Sequence, residues 1–285
     1  MDILLLPGTA NIEILKKGLP KHKISKSKSY EIRFTIKDGK LRIVNKEKDC
    51  SLYDFVWLNS YWRSRGLAYA ISLYLQKNNV RHTKVEKCTS KIVDQAYFAL
   101  NTLPCPNTFF VNSRNIEQYI EEIEDICGYP LIIKNIKGSR GNHMILAKNR
   151  KQFLDAVRKL PPRMDVMYQK YIPNDYDWGV LIADGKVVSV EQSYHHDGEY
   201  RNNECNGAKE VFRKIEDCPE HVRELALNAA KVLNLSWCRP DILIDKTNNK
   251  EYLLEVNRAP GITVGTTEET AIVDYLGSLV TKHMS

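Results

Sequence analysis

Three oxygen-bearing side chains near the C-terminal end of the chain have a spacing that suits metal coordination. They are Asp241, Glu255 and Asn257. Two carboxylates held close together repel one another unless a positive charge lies between them. Mg²⁺ takes oxygen ligands of this kind, usually one or two protein carboxylates together with substrate phosphates. The sequence therefore predicts a magnesium site, provided that the backbone brings the three residues together.

A β-hairpin is the element that would do so. The β-prone runs 242–244 and 252–256 flank Thr247-Asn248-Asn249, whose residue types suit a turn. Asp241 then lies opposite Glu255, and directly opposed residues of an antiparallel pair share a face. The other face is expected to pack in the core, through Ile242, Ile244, Tyr252, Leu254 and Val256. The alternative is a solvated hairpin face that happens to carry acids.

A lysine followed by a glycine-rich loop marks a second candidate site. An apolar strand holds Lys134, and a buried lysine needs a partner or a functional role. The loop after it contains Gly138, Ser139 and Gly141, and its glycines let backbone N–H groups approach phosphate oxygens. It is not a Walker loop, because the lysine precedes the glycines. A plain turn is the alternative.

The composition bounds the class of protein. The 285 residues exceed one average domain, and 43% hydrophobic with 27% charged residues is ordinary for a soluble globular protein. No apolar run reaches the length of a membrane span, and the first residues lack the pattern of a signal peptide. Seven cysteines without a Cys-x-x-Cys pair argue against a disulfide framework or a zinc site. We therefore expect a cytoplasmic protein without membrane association.

Positive charge is concentrated in the first part of the chain. The net charge is +7, and twelve Lys or Arg stand against three Asp or Glu between Lys16 and Lys48. Such a region could attract an acidic peptide, a protein or a nucleic acid, and a solubilising surface is the alternative. Few aromatic residues lie among the basic ones, which disfavours a nucleic acid as partner.

Five segments in order resemble the RimK-like ligases of the ATP-grasp family. They are the helix that begins near Lys91, the Lys134 strand with its glycine loop, the strand at 165–172, the acid-Gly-acid-aromatic-Arg-x-Asn run at 197–203, and the hairpin followed by Asn-Arg-Ala-Pro-Gly. The resemblance implies an α/β (α+β) ATP-grasp fold, with two α+β nucleotide-binding subdomains preceded by a small α/β domain. The implied domains are residues 1–88, 89–165 and 166–285.

The resemblance also assigns roles to residues. Those expected to bind ATP are Lys91, Lys134, Gly138, Ser139, Gly141, Gln169, Lys170, Tyr171, Ile172 and Asp177. The expected ligands of Mg²⁺, or of Mn²⁺ in its place, are Asp241, Glu255 and Asn257. The expected catalytic residues are Arg201, which in the family faces the transferred phosphate, and Asn203. A fixed guanidinium suits charge that spreads over phosphoryl and carbonyl oxygens.

The activity implied is the ATP-dependent joining of a carboxylate substrate to an amine substrate through an acyl phosphate. A peptide or protein is among the candidate substrates, and a homo-oligomer is compatible with the sequence. Gly179 and Ser193 stand where the nearest subgroup has arginines, and Lys170 replaces a usual acid. These departures leave the substrate open. The alternatives are a catalytically silent ATP-binding protein of the same fold and a basic module that binds acidic peptides or nucleic acid.

Overall fold

A computed structural model describes residues 1–8, 11–59, 64–87, 90–111, 116–136, 144–161, 164–195 and 209–281. The elements of the first part of the chain are β1 (Asp2–Leu6), α1 (Ile12–Gly18), β2 (Lys23–Lys26), β3 (Ile32–Lys37), β4 (Lys40–Asn45), β5 (Lys48–Asp49), β6 (Phe55–Leu58), α2 (Arg65–Lys77) and β7 (Arg81–His82). Those that follow are α3 (Lys91–Leu100), β8 (Thr108–Phe109), α4 (Ile120–Cys127), β9 (Leu131–Asn135), β10 (Met144–Ala147), α5 (Arg150–Lys159), β11 (Val166–Lys170), β12 (Tyr176–Ala183), β13 (Lys186–Tyr194), β14 (Lys209–Arg213), α6 (Glu220–Val232), β15 (Trp237–Ile244), β16 (Glu251–Asn257) and α7 (Thr267–Thr281). They form two compact units, Met1–Cys88 with Asn257–Ser285, and Thr89–Val256.

The first unit is built on a parallel sheet of order β2-β1-β6-β7. Residues 3–6 of β1 are buried at every position, as expected for an inner parallel strand that is covered on both faces. One face packs on α2, where Ile71 and Leu75 share a core with Leu4 and Val56. The sheet thus confirms the α/β character predicted for this part of the chain.

The C-terminal segment belongs to this first unit. Tyr275 of α7 meets Trp57 of β6 edge to face, with ring centroids 5.6 Å apart. Arg258 donates two hydrogen bonds to the Glu86 carboxylate, one of them 2.9 Å long. The structure thus groups residues 257–285 with 1–88, whereas the sequence-based division placed them with 166–256. The three-domain division remains a prediction.

A small antiparallel sheet of order β3-β4-β5 completes the first unit. Its hairpin turns at Asp38 and Gly39, whose φ angles are +50° and +71°. Positive φ at both central residues is the requirement of a type I′ turn, which Asp-Gly satisfies well. The dipeptide is a strong hairpin signal in the sequence, and it accounts for this turn.

The second unit contains two antiparallel sheets, of order β10-β9-β11-β8 and β14-β13-β12-β15-β16. Helix α6 covers one face of the five-stranded sheet, because Val222, Leu225 and Ala229 share a core with Val180 of β12. Phe98 of α3 joins the same core and so fixes that helix in the unit. The opposite face of the five-stranded sheet carries the polar residues described below. Among the helices that the structure describes, none combines the length and the apolar character required to cross a membrane.

Candidate active site

The turn between β15 and β16 is held by the side chain of Asp245. Its carboxylate accepts hydrogen bonds from the Thr247 N–H, at 2.8 Å, and from Asn248 Nδ2, at 3.0 Å. The Asp245 N–H donates to the carbonyl of Lys250, at 2.8 Å, and Asn249 adopts a φ of +56°. Asp and Asn side chains form such turns readily and tolerate positive φ. The predicted hairpin is therefore confirmed.

The alternation of side chains between the two faces of β16 is interrupted between Leu253 and Val256. Leu253 and Val256 are both buried in the core that contains Ile242. Side chains of a regular strand alternate between faces, so residues three apart share a face only across an irregularity. The prediction that Tyr252 and Leu254 pack in the core was wrong, since both are partly exposed.

A row of residues crosses the sheet on the face away from that core. Gly179 of β12 pairs with Asp241 of β15 on one side and with Glu191 of β13 on the other. Directly paired residues share a face, and Arg239, two residues before Asp241, shares it too. Arg239 Nη1 lies 3.0 Å from Glu191 Oε1, and Glu191 is only 4% exposed. A buried ion pair therefore lies beside Asp241.

The ion pair occupies the space that a side chain at residue 179 would need. A Cβ on Gly179 would lie 2.6 Å from Glu191 Oε1 and 3.1 Å from Arg239 Cδ. The resemblance given above implies an arginine at this position. In this chain the side chain of Arg239, on the neighbouring strand β15, occupies the space beside Gly179.

Substitution of Gly179 by alanine should destabilise the protein by about 1 to 3 kcal/mol, because the new methyl group overpacks a buried ion pair that has little freedom to move. Gly66→Ala is a matched control, since a Cβ there meets nothing within 4 Å and lies in α2, where alanine is the better helix former. Urea unfolding of both variants measures the difference. Equal stability of Gly179→Ala and the wild type would contradict the crowding inferred here.

Helix α3 brings Lys91 to the hairpin. Ser90 caps the helix by accepting the Val93 N–H at 3.2 Å, so Lys91 occupies its first position. Gln95 Nε2 donates to the carbonyl of Leu254, at 3.2 Å, and ties the helix to β16. Lys91 Nζ lies 2.7 Å from Glu255 Oε2. In the sequence Lys91 resembles many other lysines, but in the structure it forms an ion pair with the predicted metal ligand Glu255.

Lys134 interacts electrostatically with Lys91 and with three predicted carboxylates of this unit. It is only 9% exposed on β9. Burial is the main reason that its pKa falls to about 8, and the neighbouring Lys91 lowers the pKa further. The charges that oppose this fall belong to Glu255, Asp241 and Asp177. Two cations and three carboxylates from five elements therefore interact with one another. They are Lys91, Lys134, Asp177, Asp241 and Glu255, and their roles toward ATP and metal remain predictions.

The ionisation of Glu255 follows from the same arrangement. Burial raises the pKa of Glu255, but the Lys91 and Lys134 cations outweigh this effect and hold the pKa below its usual value. Glu255 is therefore a carboxylate at neutral pH. A carboxylate is one of the oxygen donors that hard cations such as Mg²⁺ take in proteins.

The segment 169–172, which is expected to bind ATP, has most of its polar groups in hydrogen bonds within the protein. Gln169 is 1% exposed, and its Nε2 donates to Thr108 Oγ1 at 2.9 Å, so its side chain has a structural role. The Lys170 N–H donates to Asn107 and the Tyr171 N–H to Pro130, at 2.9 and 3.1 Å. Within the described residues the Ile172 N–H has no hydrogen-bond partner.

The structure leaves some predicted site residues undescribed. Gly138, Ser139, Gly141, Arg201 and Asn203 lie outside the described residues. Asn257 is the last residue of β16, two positions beyond Glu255. The roles of these residues remain predictions.

Sequence reasoning missed Glu191 and Arg239. Two signals were present in the sequence. Glu191 lies within an otherwise apolar, β-prone strand pattern, and Arg239 precedes Asp241 by two residues, which places it on the same face of a strand. What the pattern could not supply is the pairing of β13 with β12 and of β12 with β15, which brings the two charges together.

The donor set fits a divalent cation that shares its coordination with phosphates. The described residues contain no group of three or more His, Cys, Asp or Glu placed to hold a metal ion. Mg²⁺ needs fewer protein ligands when substrate phosphates complete its coordination. Asp241 and Glu255, which both act on Lys134, supply oxygen donors of the right type.

Comparison with known proteins identifies the family of the chain. A family model, the RimK-like ATP-grasp domain, matches residues 88–279. The chain belongs to this family, and its ATP-grasp fold is the one predicted from the order of segments. ATP is the nucleotide that enzymes of this family use.

A "Probable alpha-L-glutamate ligase" of Maridesulfovibrio salexigens is 28% identical over 202 residues, which cover 69% of this chain and 63% of that protein. The chain thus spans less than two thirds of that relative's length. Two solved structures share the fold. The ATP-grasp ligase PsnB complexed with minimal precursor has a TM-score of 0.67 at 16% identity, covering 97% of this chain and 98% of PsnB. D-alanyl-alanine synthetase A from Vibrio cholerae has a TM-score of 0.69 at 14% identity, covering 99% of this chain and 98% of that one.

Proposed function

We propose that the chain is an ATP-dependent ligase that activates a carboxylate as an acyl phosphate and joins it to an amine. The observation that carries the proposal is the gathering of Lys91 and Lys134 with Asp241 and Glu255 in one unit. Phosphoryl transfer requires positioning and neutralisation of charge, and it requires no nucleophile from the enzyme. The cations supply the charge for phosphates, and the carboxylates supply metal ligands.

The Lys91–Glu255 ion pair brings the proposed phosphate-binding lysine next to a proposed metal ligand. Lys91 and Lys134 would hold the phosphates of ATP, whose oxygens favour the charged form of a lysine. Asp241 and Glu255 would hold Mg²⁺, which supplies neutralisation of the charge that develops on the phosphates. The Ile172 N–H is the donor that supports the proposed contact with adenine.

The reaction consists of two displacements. An oxygen of the substrate carboxylate attacks the γ-phosphorus, the bond to the β,γ-bridging oxygen breaks, and ADP leaves. The amine nitrogen of the second substrate then attacks the acyl carbon, inorganic phosphate leaves, and the nitrogen loses a proton. We assign the stabilisation of the transferred group to Arg201, and Asn203 is the second catalytic residue that the resemblance implies.

The substrates follow less directly. A relative is named as a glutamate ligase, and a structural neighbour was solved with a peptide, so glutamate and peptides are the first candidates for this chain. The Arg239 guanidinium is already paired with Glu191, so it offers substrate carboxylates a different environment from that of an unpaired arginine. We also propose a cytoplasmic location, since Cys50, Cys105, Cys127, Cys218 and Cys238 are free thiols.

The test is a screen for ADP release. The purified chain is incubated with ATP, Mg²⁺, hydroxylamine and a panel of amino acids and acidic peptides, because hydroxylamine traps acyl phosphates as hydroxamates. Mass spectrometry with an amine panel then identifies a product whose mass equals the acid plus the amine minus water. ATP binding without ADP release from any acid would favour the catalytically silent alternative.

Removal of the metal should stop the reaction. Excess EDTA is expected to reduce ADP release to background, and addition of Mg²⁺ or Mn²⁺ beyond the chelator should restore it, because the phosphates lose their neutralising cation. The unfolding temperature measured in parallel separates this effect from loss of structure. Full activity in EDTA would contradict the assignment of Asp241 and Glu255 as metal ligands.

A further inference from the structure

The hairpin of β3 and β4 leaves a strand edge open in the first unit. In the described part of the chain β3 pairs with β4 alone, and its other edge is unpaired. The two-residue turn at 38–39 makes Lys37 and Lys40 a hydrogen-bonded pair. By the alternation of an antiparallel ladder, the backbone groups of Phe34 and Ile36 then face the open edge. Such an edge is a template for a further strand.

One face of this hairpin is apolar beyond the point where the core ends. Phe34 pairs with Ile43, and Ile36 pairs with Leu41, so the four residues share a face. Ile43 is fully buried, whereas Phe34 is 44% and Ile36 is 65% exposed. The apolar side chains nearest the open edge therefore extend past the core and offer surface to another strand.

The opposite face of the hairpin is basic. Arg33 and Arg42 lie on it, where each makes an exposed ion pair with a nearby acid. Lys37 and Lys40 lie on it at the tip and make no ion pair with any residue of the described ranges. Asp38 in the turn offsets one of the two lysine charges, so the tip of the hairpin carries a net positive charge beside the open edge.

We propose that the open edge of β3 binds an extended peptide in which apolar residues alternate with Asp or Glu. Side chains of an added strand alternate between the two faces. The apolar ones would cover Phe34 and Ile36, and the acidic ones would face Lys37 and Lys40. A second copy of this chain fits poorly in the antiparallel register that pairs Phe34 of one β3 strand with Ile36 of the other, because this register places Arg33 of one beside Lys37 of the other. The proposal does not depend on ligase activity.

The experiment measures binding of a labelled synthetic peptide, in which valine alternates with glutamate, to the full chain by fluorescence anisotropy. A peptide of the same composition with valines and glutamates segregated is the ligand control. Ile36→Pro removes an edge N–H without removing a ladder bond to β4. The double variant Lys37→Glu/Lys40→Glu reverses the charge of the tip, and Lys77→Glu/Lys84→Glu makes the same change at exposed lysines elsewhere in the unit.

We expect the alternating peptide to bind, more weakly at high salt, and the segregated peptide to bind about tenfold less tightly. Ile36→Pro and the tip variant should each weaken binding about tenfold, while the control variant stays within about twofold. Circular dichroism of each variant verifies the fold. Equal binding of both peptides, wild-type affinity in Ile36→Pro, or equal loss in the control variant would overturn the proposal. Self-association of the wild type that Ile36→Pro abolishes would assign the edge to a second copy and overturn it as well.

Discussion

Replacement of Glu255 by glutamine is expected to lower the rate of ADP formation at least about a thousandfold, because the amide can neither pair with Lys91 nor hold a divalent cation as a carboxylate does. The two side chains have nearly the same size, so the fold should persist. The rate of ADP release at saturating ATP, with the best acid from the substrate screen, measures the loss.

Glu251→Gln is the matched control for this substitution. Glu251 lies at the start of the same strand, so its change removes one negative charge from β16 without touching the lysines. We expect its rate to stay within about twofold of the wild type. If Glu255→Gln turned over normally, the metal and phosphate roles assigned to the hairpin would both fail.

Replacement of Lys134 by methionine should have two opposite effects, a loss of activity and a gain in stability. Under the proposed role of Lys134 in binding the phosphates of ATP, loss of this buried cation should reduce kcat/KM for ATP at least about a hundredfold. The gain in stability follows from the pKa of Lys134, which is about 8 in the folded chain against an ordinary value of 10.5. At pH 7 the folded state bears the cost of a buried charge, about 3 kcal/mol, which methionine avoids.

The sign of this effect is set by pH. Between about pH 8 and pH 10.5 the folded Lys134 has lost its proton while the unfolded lysine retains it, so wild-type stability rises with pH relative to the variant. The advantage of Lys134→Met should therefore be full below pH 8 and shrink toward zero near pH 10.5. Urea unfolding at pH 7 and pH 9.5 measures it, with the exposed Lys151→Met as control. An advantage that is constant with pH would contradict the buried-charge explanation.

Local chemistry made the hairpins predictable from sequence. Asp38-Gly39 and the Thr247-Asn248-Asn249 segment each favour a turn through their own backbone and side chains, so no distant residue is needed to place them. The face that carries Asp241 followed from strand alternation. Regular alternation predicted the wrong face for Tyr252 and Leu254, because the residue types do not indicate the irregularity between Leu253 and Val256.

Contacts between segments that are far apart in the chain could not be predicted from the sequence. The order of segments indicated Lys91 and Lys134 as candidate phosphate-binding residues. The 2.7 Å contact between Lys91 and Glu255, however, depends on how α3 packs against β16. The pairing of Arg239 with Glu191 likewise requires the order of three strands. The sequence shows a glycine at residue 179, where the resemblance implies an arginine. The packing shows that the side chains of Glu191 and Arg239 fill the space beside it.

The return of residues 257–285 to the first unit has a consequence for the order in which the protein is made. Helix α7 supplies Tyr275 to the sheet that begins at the N-terminus, and Arg258 closes on Glu86. A ribosome that has synthesised only the first third of the chain has produced the strands of this unit but not the helix that covers them. The second unit can therefore finish folding first, because the first unit is complete only after residues 257–285 have been synthesised.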